Sequence, residues 1–160
     1  GKKPFIDKLQ MVFDEGLYDP ANEPDIAYPY LFSYFKGEEW RTQKETQRLL
    51  DKYFTTKPDG IPGNDDTGTM SSWAIFNMIG FYPDCPGLPE YTLTTPVFDK
   101  VTIRLDPKWY KEKELVIESN RAQPGTLYIN KVLLNGKKFN KYRITHDELV
   151  HGQHIYFDLK

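Results

Sequence analysis

The sequence predicts an α+β fold, helices first and strands after, and three observations carry that prediction. Apolar residues recur at helical spacing through the first half of the chain, from Phe5, Leu9, Val12 and Phe13 to the run that begins at Met70 and ends at Ile79. From Tyr91 onward the period changes to two, as half-buried strands require. Between the two patterns, residues 83–89 hold three prolines and a glycine, a composition that stops one kind of element before another starts. Segregation of this kind divides the chain into a helical part, residues 1–89, and a β-rich part, residues 90–160.

The elements follow in order. Phe5, Leu9, Val12 and Phe13 predict a first helix over about residues 4–15, closed by Gly16. Glu23-Pro24 puts a proline at the first helical position of a second helix, with Ile26, Ala27, Tyr30, Leu31 and Tyr34 as its apolar stripe. Pro29 kinks or breaks it and Gly37 ends it. Trp40, Leu49, Leu50 and Tyr53, interleaved with charges, predict a third helix over about residues 38–54. The next stretch cannot be helical, because Gly60, Pro62 and Gly63 interrupt any period. Met70, Trp73, Ala74, Ile75, Phe76, Met78 and Ile79 then predict a fourth helix so apolar that it should be buried on nearly all sides. Thr67 or Thr69 is positioned to cap its start and Gly80 to end it. Strands are expected over residues 91–93, 97–105, 115–117, 126–134 and 154–159, with Asn135-Gly136 as a hairpin turn. Thr145, Asp147 and Glu148 predict a short helical turn over residues 147–150, capped by Thr145 but short of a full capping box.

Composition excludes several classes of function. A formal net charge of −2 with both signs interspersed gives no basic field for a nucleic acid backbone, and no apolar run is long enough to span a membrane. Cys85 is the only cysteine, so neither an intrachain disulfide nor a cysteine metal cluster can form. His146, His151 and His154 cluster late in the chain at loose spacing and read as surface residues. Aromatics are abundant at 15%, which suits a large core as well as a surface that stacks on sugar rings. The chain opens on Gly1-Lys2-Lys3-Pro4 with no initiator Met, and is expected to begin after processing or partway through a longer product.

The residues that carry chemistry stand at the head of the fourth helix. Gly63-Asn64-Asp65-Asp66-Thr67-Gly68 places two adjacent carboxylates between glycines, directly before a rigid apolar rod. Asn and Asp also build ordinary turns through their own backbone, so composition alone admits a structural reading. The run from Gly63 through Thr69-Met70-Ser71-Ser72-Trp73 to Gly80-Phe81-Tyr82-Pro83 resembles the signature of glycoside hydrolase family 92, a family of α-mannosidases. A second block agrees with it: Asn22-Glu23-Pro24, Pro29-Tyr30-Leu31-Phe32, Gly37, Trp40 and Thr42-Gln43. The resemblance extends through the strand-rich tail and covers almost the whole chain.

That resemblance implies helical hairpins from the end of an (α/α)6 barrel followed by a β-sandwich lobe. It implies an inverting, calcium-dependent exo-α-mannosidase acting on mannose-containing glycans, exported to the periplasm or the cell exterior. Inversion needs a carboxylic acid on the leaving oxygen and a carboxylate on water, roughly 6.5–9.5 Å apart. Asp66 corresponds to the general base and Asp65 either supports it or binds water or metal, while Asn64 stands where some members carry an acid. Asn22 and Glu23 are candidates for sugar hydroxyls and for calcium, which takes oxygen ligands. The family's general acid sits in an upstream Glu-Gly-Asn block that this sequence lacks, so the chain is expected to hold the base side of a divided site and to be nearly inert alone. It should self-associate through helix faces meant for the rest of the parent enzyme. Two other readings compete: a non-catalytic carbohydrate-binding or structural module, and a self-contained hydrolase with Glu23 as acid and Asp66 as base.

Overall fold

Amphipathic spacing delivers the first helix, α1 (Lys2–Asp14), which buries Ile6, Leu9 and Phe13 on one side. Its end is set by backbone geometry. Gly16 takes a φ of +70°, Gly16 N–H donates to Phe13 O and Leu17 N–H to Val12 O, the pair of bonds that closes a helix through a left-handed glycine. A computed structural model of the chain describes residues 1–121, 123 and 125–160. They fall into two compact units, Gly1–Ile75 and Phe76–Lys160.

In the first unit the expected second helix is a 3₁₀ segment, Glu23–Tyr34, and not an α-helix. Pro29 has no N–H to give to a carbonyl four residues back, and its ring would strike that carbonyl, so the tighter winding relieves both problems. Pro29, Tyr30 and Phe32 are its buried apolar side chains. The segment packs on α2 (Glu39–Tyr53) partly through hydroxyls: Thr42 donates to Pro29 O at 2.8 Å and accepts from Ser33 Oγ at 2.8 Å. The α2 face turned inward also carries Glu45, fully buried, whose carboxylate accepts from Gln10 Nε2 at 2.9 Å and pairs with Arg48 and Lys44 at 3.2 and 3.3 Å. A buried charge is tolerated only with such partners. Phe13 stacks with Tyr18 and leans on Phe32, while Phe54 stacks on Trp73 with ring centroids 5.3 Å apart.

Helix α3 (Thr69–Ile79) runs from the first unit into the second. Its burial is less complete than its composition suggests. Met70, Trp73 and Ala74 are buried, yet Ser72 is exposed and Ile75 is 56% exposed, so one face three residues apart stays open.

Among the described residues the second unit holds eight strands in two sheets. β1 (Phe81–Tyr82), β2 (Glu90–Leu93) and β7 (Arg143–Thr145) form one, in the order β1-β2-β7. β3 (Lys100–Arg104), β4 (Glu114–Arg121), β5 (Ile129–Leu134), β6 (Lys137–Phe139) and β8 (His154–Leu159) form the other, in the order β3-β4-β8-β5-β6. Strand structure thus begins at Phe81, ahead of the proline-rich segment. β8 lies in the middle of its sheet, parallel to β4 and antiparallel to β5. Alternate residues of β8, Ile155, Phe157 and Leu159, face a core shared with Leu93, Leu115, Ile117 and Ile144. Asn135 and Gly136 both take positive φ, 50° and 74°, as the tight β5–β6 hairpin demands. Two expectations need correction here. His146 is no surface residue, since Tyr91 Oη and Tyr110 Oη lie 2.8 and 3.2 Å from its two ring nitrogens. The helix α4 (His146–Gly152) also has the full capping box: Thr145 Oγ1 accepts from Glu148 N–H at 3.1 Å and Glu148 Oε2 accepts from Thr145 N–H at 3.0 Å.

Thr145→Ala should lower stability by about 1 kcal/mol, as loss of a helix cap does, measurable as a fall in Tm of about 3 °C for a chain this size. Hydrogen bonds from Thr145 and Lys141 hold the Glu148 carboxyl below its ordinary pKa. A depressed carboxyl stabilises fully above the unfolded pKa, about 4.3 for Glu, and loses its contribution as pH falls through the folded value. Glu148→Gln should therefore reduce Tm at pH 7 and narrow its difference from wild type below pH 4, read by calorimetry across pH.

Candidate active site

The candidate site begins with a loop whose shape forbids side chains at two points. Thr55 N–H donates to Gly60 O and Gly60 N–H to Lys57 O, and a Cβ on Gly60 would collide with the Thr55 carbonyl oxygen. Three residues on, Gly63 has a φ of +113° and a Cβ there would sit 2.7 Å from Ala21 Cβ. This close approach seats the Gly63-Asn64-Asp65-Asp66 loop against the chain just ahead of Asn22 and Glu23. The two blocks that sequence singled out are therefore neighbours in the first unit.

Asp65 is committed to structure. Its carboxylate accepts from Ser71 N–H at 2.7 Å and from Ser71 Oγ at 2.7 Å. Its carbonyl accepts from Gly68 N–H at 3.1 Å and Met70 N–H at 3.4 Å. The cap of α3 is thus Asp65, and neither Thr67 nor Thr69; Thr69 spends its hydroxyl on Asp66 O at 2.8 Å. The two bonds from Ser71, the backbone one foremost, keep the Asp65 carboxyl below its usual pKa, which is the expected effect of donors aimed at the charged form.

Asp66 is left with the opposite situation. It is exposed, and among the described residues its carboxylate makes no hydrogen bond or ion pair. Its backbone is held at a φ of 45° with Thr67 at 63°, two consecutive left-handed residues that are not glycine. Such conformations cost of order 1–3 kcal/mol each and persist where surrounding structure imposes them, commonly at functional sites. Asn64 is exposed on the same loop and Glu23 on its neighbour, both side chains likewise unbonded among the described residues.

The neighbouring loop is tied down by a residue that sequence reasoning passed over. Asp25 is 7% exposed; its two carboxylate oxygens accept from Asp19 N–H at 3.0 Å and from Asn22 Nδ2 at 3.2 Å. Asp19 in turn accepts from Ala21 N–H at 2.9 Å. Asn22 therefore starts the 3₁₀ segment with its amide nitrogen fixed and its side-chain oxygen uncommitted, while Glu23 stands on a fixed base. An acid three residues after Asn22 was the available signal. As cation ligands, Asn22 and Glu23 offer hard oxygens, which calcium requires in sets of about six to eight. Among the described residues no three His, Cys, Asp or Glu side chains converge on a point where an ion could sit.

Geometrically, then, an exposed carboxylate with free lone pairs projects from a strained loop, next to a fixed amide and a second free carboxylate. Comparison with known proteins gives this arrangement a family. The model of the glycosyl hydrolase family 92 catalytic domain matches residues 1–160. A family 92 α-mannosidase from Bacteroides thetaiotaomicron superposes with a TM-score of 0.87 at 32% identity, over 99% of this chain and 21% of that one. The inverting family 92 mannosidase of the same organism gives 0.79 at 34% identity, over 94% and 20%. An uncharacterised secreted glycosidase of Arthroderma benhamiae is 28% identical across 95% of this chain and 19% of its own length. The chain spans about a fifth of the length of each of these relatives, and it belongs to the glycosyl hydrolase family 92 catalytic domain.

Proposed function

We propose that this chain contributes the general-base side of the site of an inverting, calcium-dependent exo-α-mannosidase, with Asp66 as the base. The observation that carries the reading is the Asp66 carboxylate, exposed and unpartnered on a strained loop that rests against the Asn22–Glu23 block. A general base must have a lone pair open to the proton it takes, and a carboxylate without competing donors among the described residues offers one to a water molecule. Asp66 accepts a proton from water as the water oxygen attacks the anomeric carbon from the face opposite the leaving group. The C–O bond breaks on the other side, where an acid outside this chain protonates the departing oxygen. Asp65 positions Asp66 by fixing the turn. Asn22, Glu23 and Asn64 bind hydroxyls of the terminal mannose, and Asn22 with Glu23 supplies part of the oxygen shell of a calcium ion. That ion, when bound, would polarise and grip vicinal hydroxyls of the sugar.

The relatives support the substrate class. One Bacteroides thetaiotaomicron α-mannosidase of the family was solved with mannoimidazole, a mannose-shaped ligand, and superposes on this chain with a TM-score of 0.87. The secreted description of the Arthroderma benhamiae relative supports a place outside the cytoplasm, periplasmic or extracellular. The helices of the first unit would then form the closing part of an (α/α)6 barrel.

In an enzyme containing this chain together with the acid side of the site, Asp66→Asn should cut kcat for an α-mannoside by about 10²–10⁴-fold, the usual contribution of a positioned base. Circular dichroism and Tm should stay unchanged, and an unaffected kcat would sink the assignment. Release of mannose by the isolated chain with calcium present should be undetectable; brisk turnover would show that both carboxyl groups lie within it. Leu17, Tyr34 and Ile75 of the first unit are at least half exposed, and such apolar surface favours association. Light scattering at rising concentration should therefore report a dimer or larger species, and a monomer throughout would remove the case for a buried counterpart.

A further inference from the structure

The outer hairpin of the five-stranded sheet opens into a cleft. β5 and β6 share three rungs only, Leu134 with Lys137, Leu133 with Lys138 and Val132 with Phe139. Beyond Phe139 the chain is drawn off to the other sheet, where Tyr142 O accepts from Leu93 N–H at 2.9 Å and Arg143–Thr145 become β7. The facing part of β5 is held back. Tyr128 and Lys160 exchange both backbone hydrogen bonds, at 2.9 and 2.8 Å, and an irregularity between Ile129 and Lys131 leaves Asn130 outside the β8 ladder. The wedge between the diverging strands encloses about 220 Å³. Both walls are anchored by backbone bonds at their far ends, so the cavity exists before any ligand arrives.

Its lining has one sign of charge. Lys131, Lys138 and Lys141 surround it with Asn130, Phe139 and Asn140, and among the described residues no carboxylate lines it. The nearest acids are already engaged. Glu148 pairs with Lys141 at 3.0 Å, and Asp158 accepts from Asn130 Nδ2 at 2.7 Å. Lys131 and Lys138 are exposed and make no ion pair among the described residues. Three lysines line the wedge against two neighbouring carboxylates, Glu148 on Lys141 and Asp158 opposite Lys131 in the ladder, and this excess of positive charge, in a chain whose formal net charge is −2, favours an anion. The Asn140 amide can both donate to and accept from ring hydroxyls. The volume suits a single substituted ring and is below that of sites for larger ligands, about 300 Å³ and up.

We propose that this cleft binds an anionic sugar, a hexose carrying a phosphate or carboxylate group, with Lys131 and Lys138 on the anion and Asn140 on the hydroxyls. The site lies wholly in the second unit and stands apart from the Asp66 reading, so either can fail without the other. Titrate the ¹⁵N-labelled chain at low ionic strength with a hexose 6-phosphate, a hexuronic acid, the neutral hexose and inorganic phosphate. Saturable shifts confined to residues 129–132 and 138–142 are expected with at least one anionic sugar, and the sugar phosphate and the uronate tell the two anion sources apart. The neutral hexose and inorganic phosphate should each bind at least about tenfold more weakly, the loss expected when a charge-assisted bond or a set of hydroxyl contacts is missing. Lys131→Ala with Lys138→Ala should weaken the anionic sugar by about tenfold or more, and Lys131→Arg with Lys138→Arg should restore it. No saturable shift at these residues, equal binding of neutral hexose or of inorganic phosphate, or unchanged affinity in the alanine variant would each overturn the proposal. Both lysines are exposed and unpaired, so the variants should keep the wild-type spectrum elsewhere.

Discussion

The candidate site depends on one carboxylate and the serine that answers it. Asp65 takes both the backbone N–H and the hydroxyl of Ser71, and its carbonyl takes two more backbone donors from the same turn. Four bonds converge on one residue, and the loop has no freedom left at that point. Asp66 follows immediately, so its left-handed backbone and outward carboxylate are consequences of how Asp65 is held. The division of labour between two adjacent acids of the same type is set by hydrogen bonding and not by identity. One is consumed in capping the start of a helix, and the other is left exposed.

A second constraint brings the other block to this loop. Gly63 has room for a hydrogen and for nothing larger, because Ala21 occupies the space. Ala21 itself is placed by Asp19, and the segment after it by Asp25, whose buried carboxylate joins the two ends of the turn. A buried acid, Asp25, thus ties down one loop of the site, while the exposed acids Glu23 and Asp66 remain uncommitted among the described residues. This separation keeps the exposed carboxylates from being neutralised by the framework that positions them.

Much of this was legible in the residues and some was not, for identifiable reasons. The α-helical spans followed from apolar spacing, and the Asn135-Gly136 turn from the backbone freedom those residues have. The 3₁₀ winding of Glu23–Tyr34 escaped because prolines alter hydrogen-bond spacing while leaving an apolar stripe that still reads as an α-helix. Asp65 as the cap of α3 escaped because a side chain reaching six residues forward lies outside the local capping pattern. The open face at Ile75 could not be read from composition, which says how apolar a helix is and not what covers it. The positions of β2, β3, β4, β5 and β8 were visible through their period, but the short strands β1 and β7, the partition into two sheets, the parallel contact of β4 with β8 and the cleft beside β6 depend on pairings far apart in sequence.

That last pairing has a bearing on biosynthesis. β8 sits at the centre of its sheet, with β4 on one flank and β5 on the other, though both are made before it. Until residues 154–159 leave the ribosome, two finished strands rich in Leu, Ile and Val wait with unfilled edges. Completion of this sheet therefore waits for β8, and the nascent intermediate that lacks it carries two open strand edges that invite misassociation.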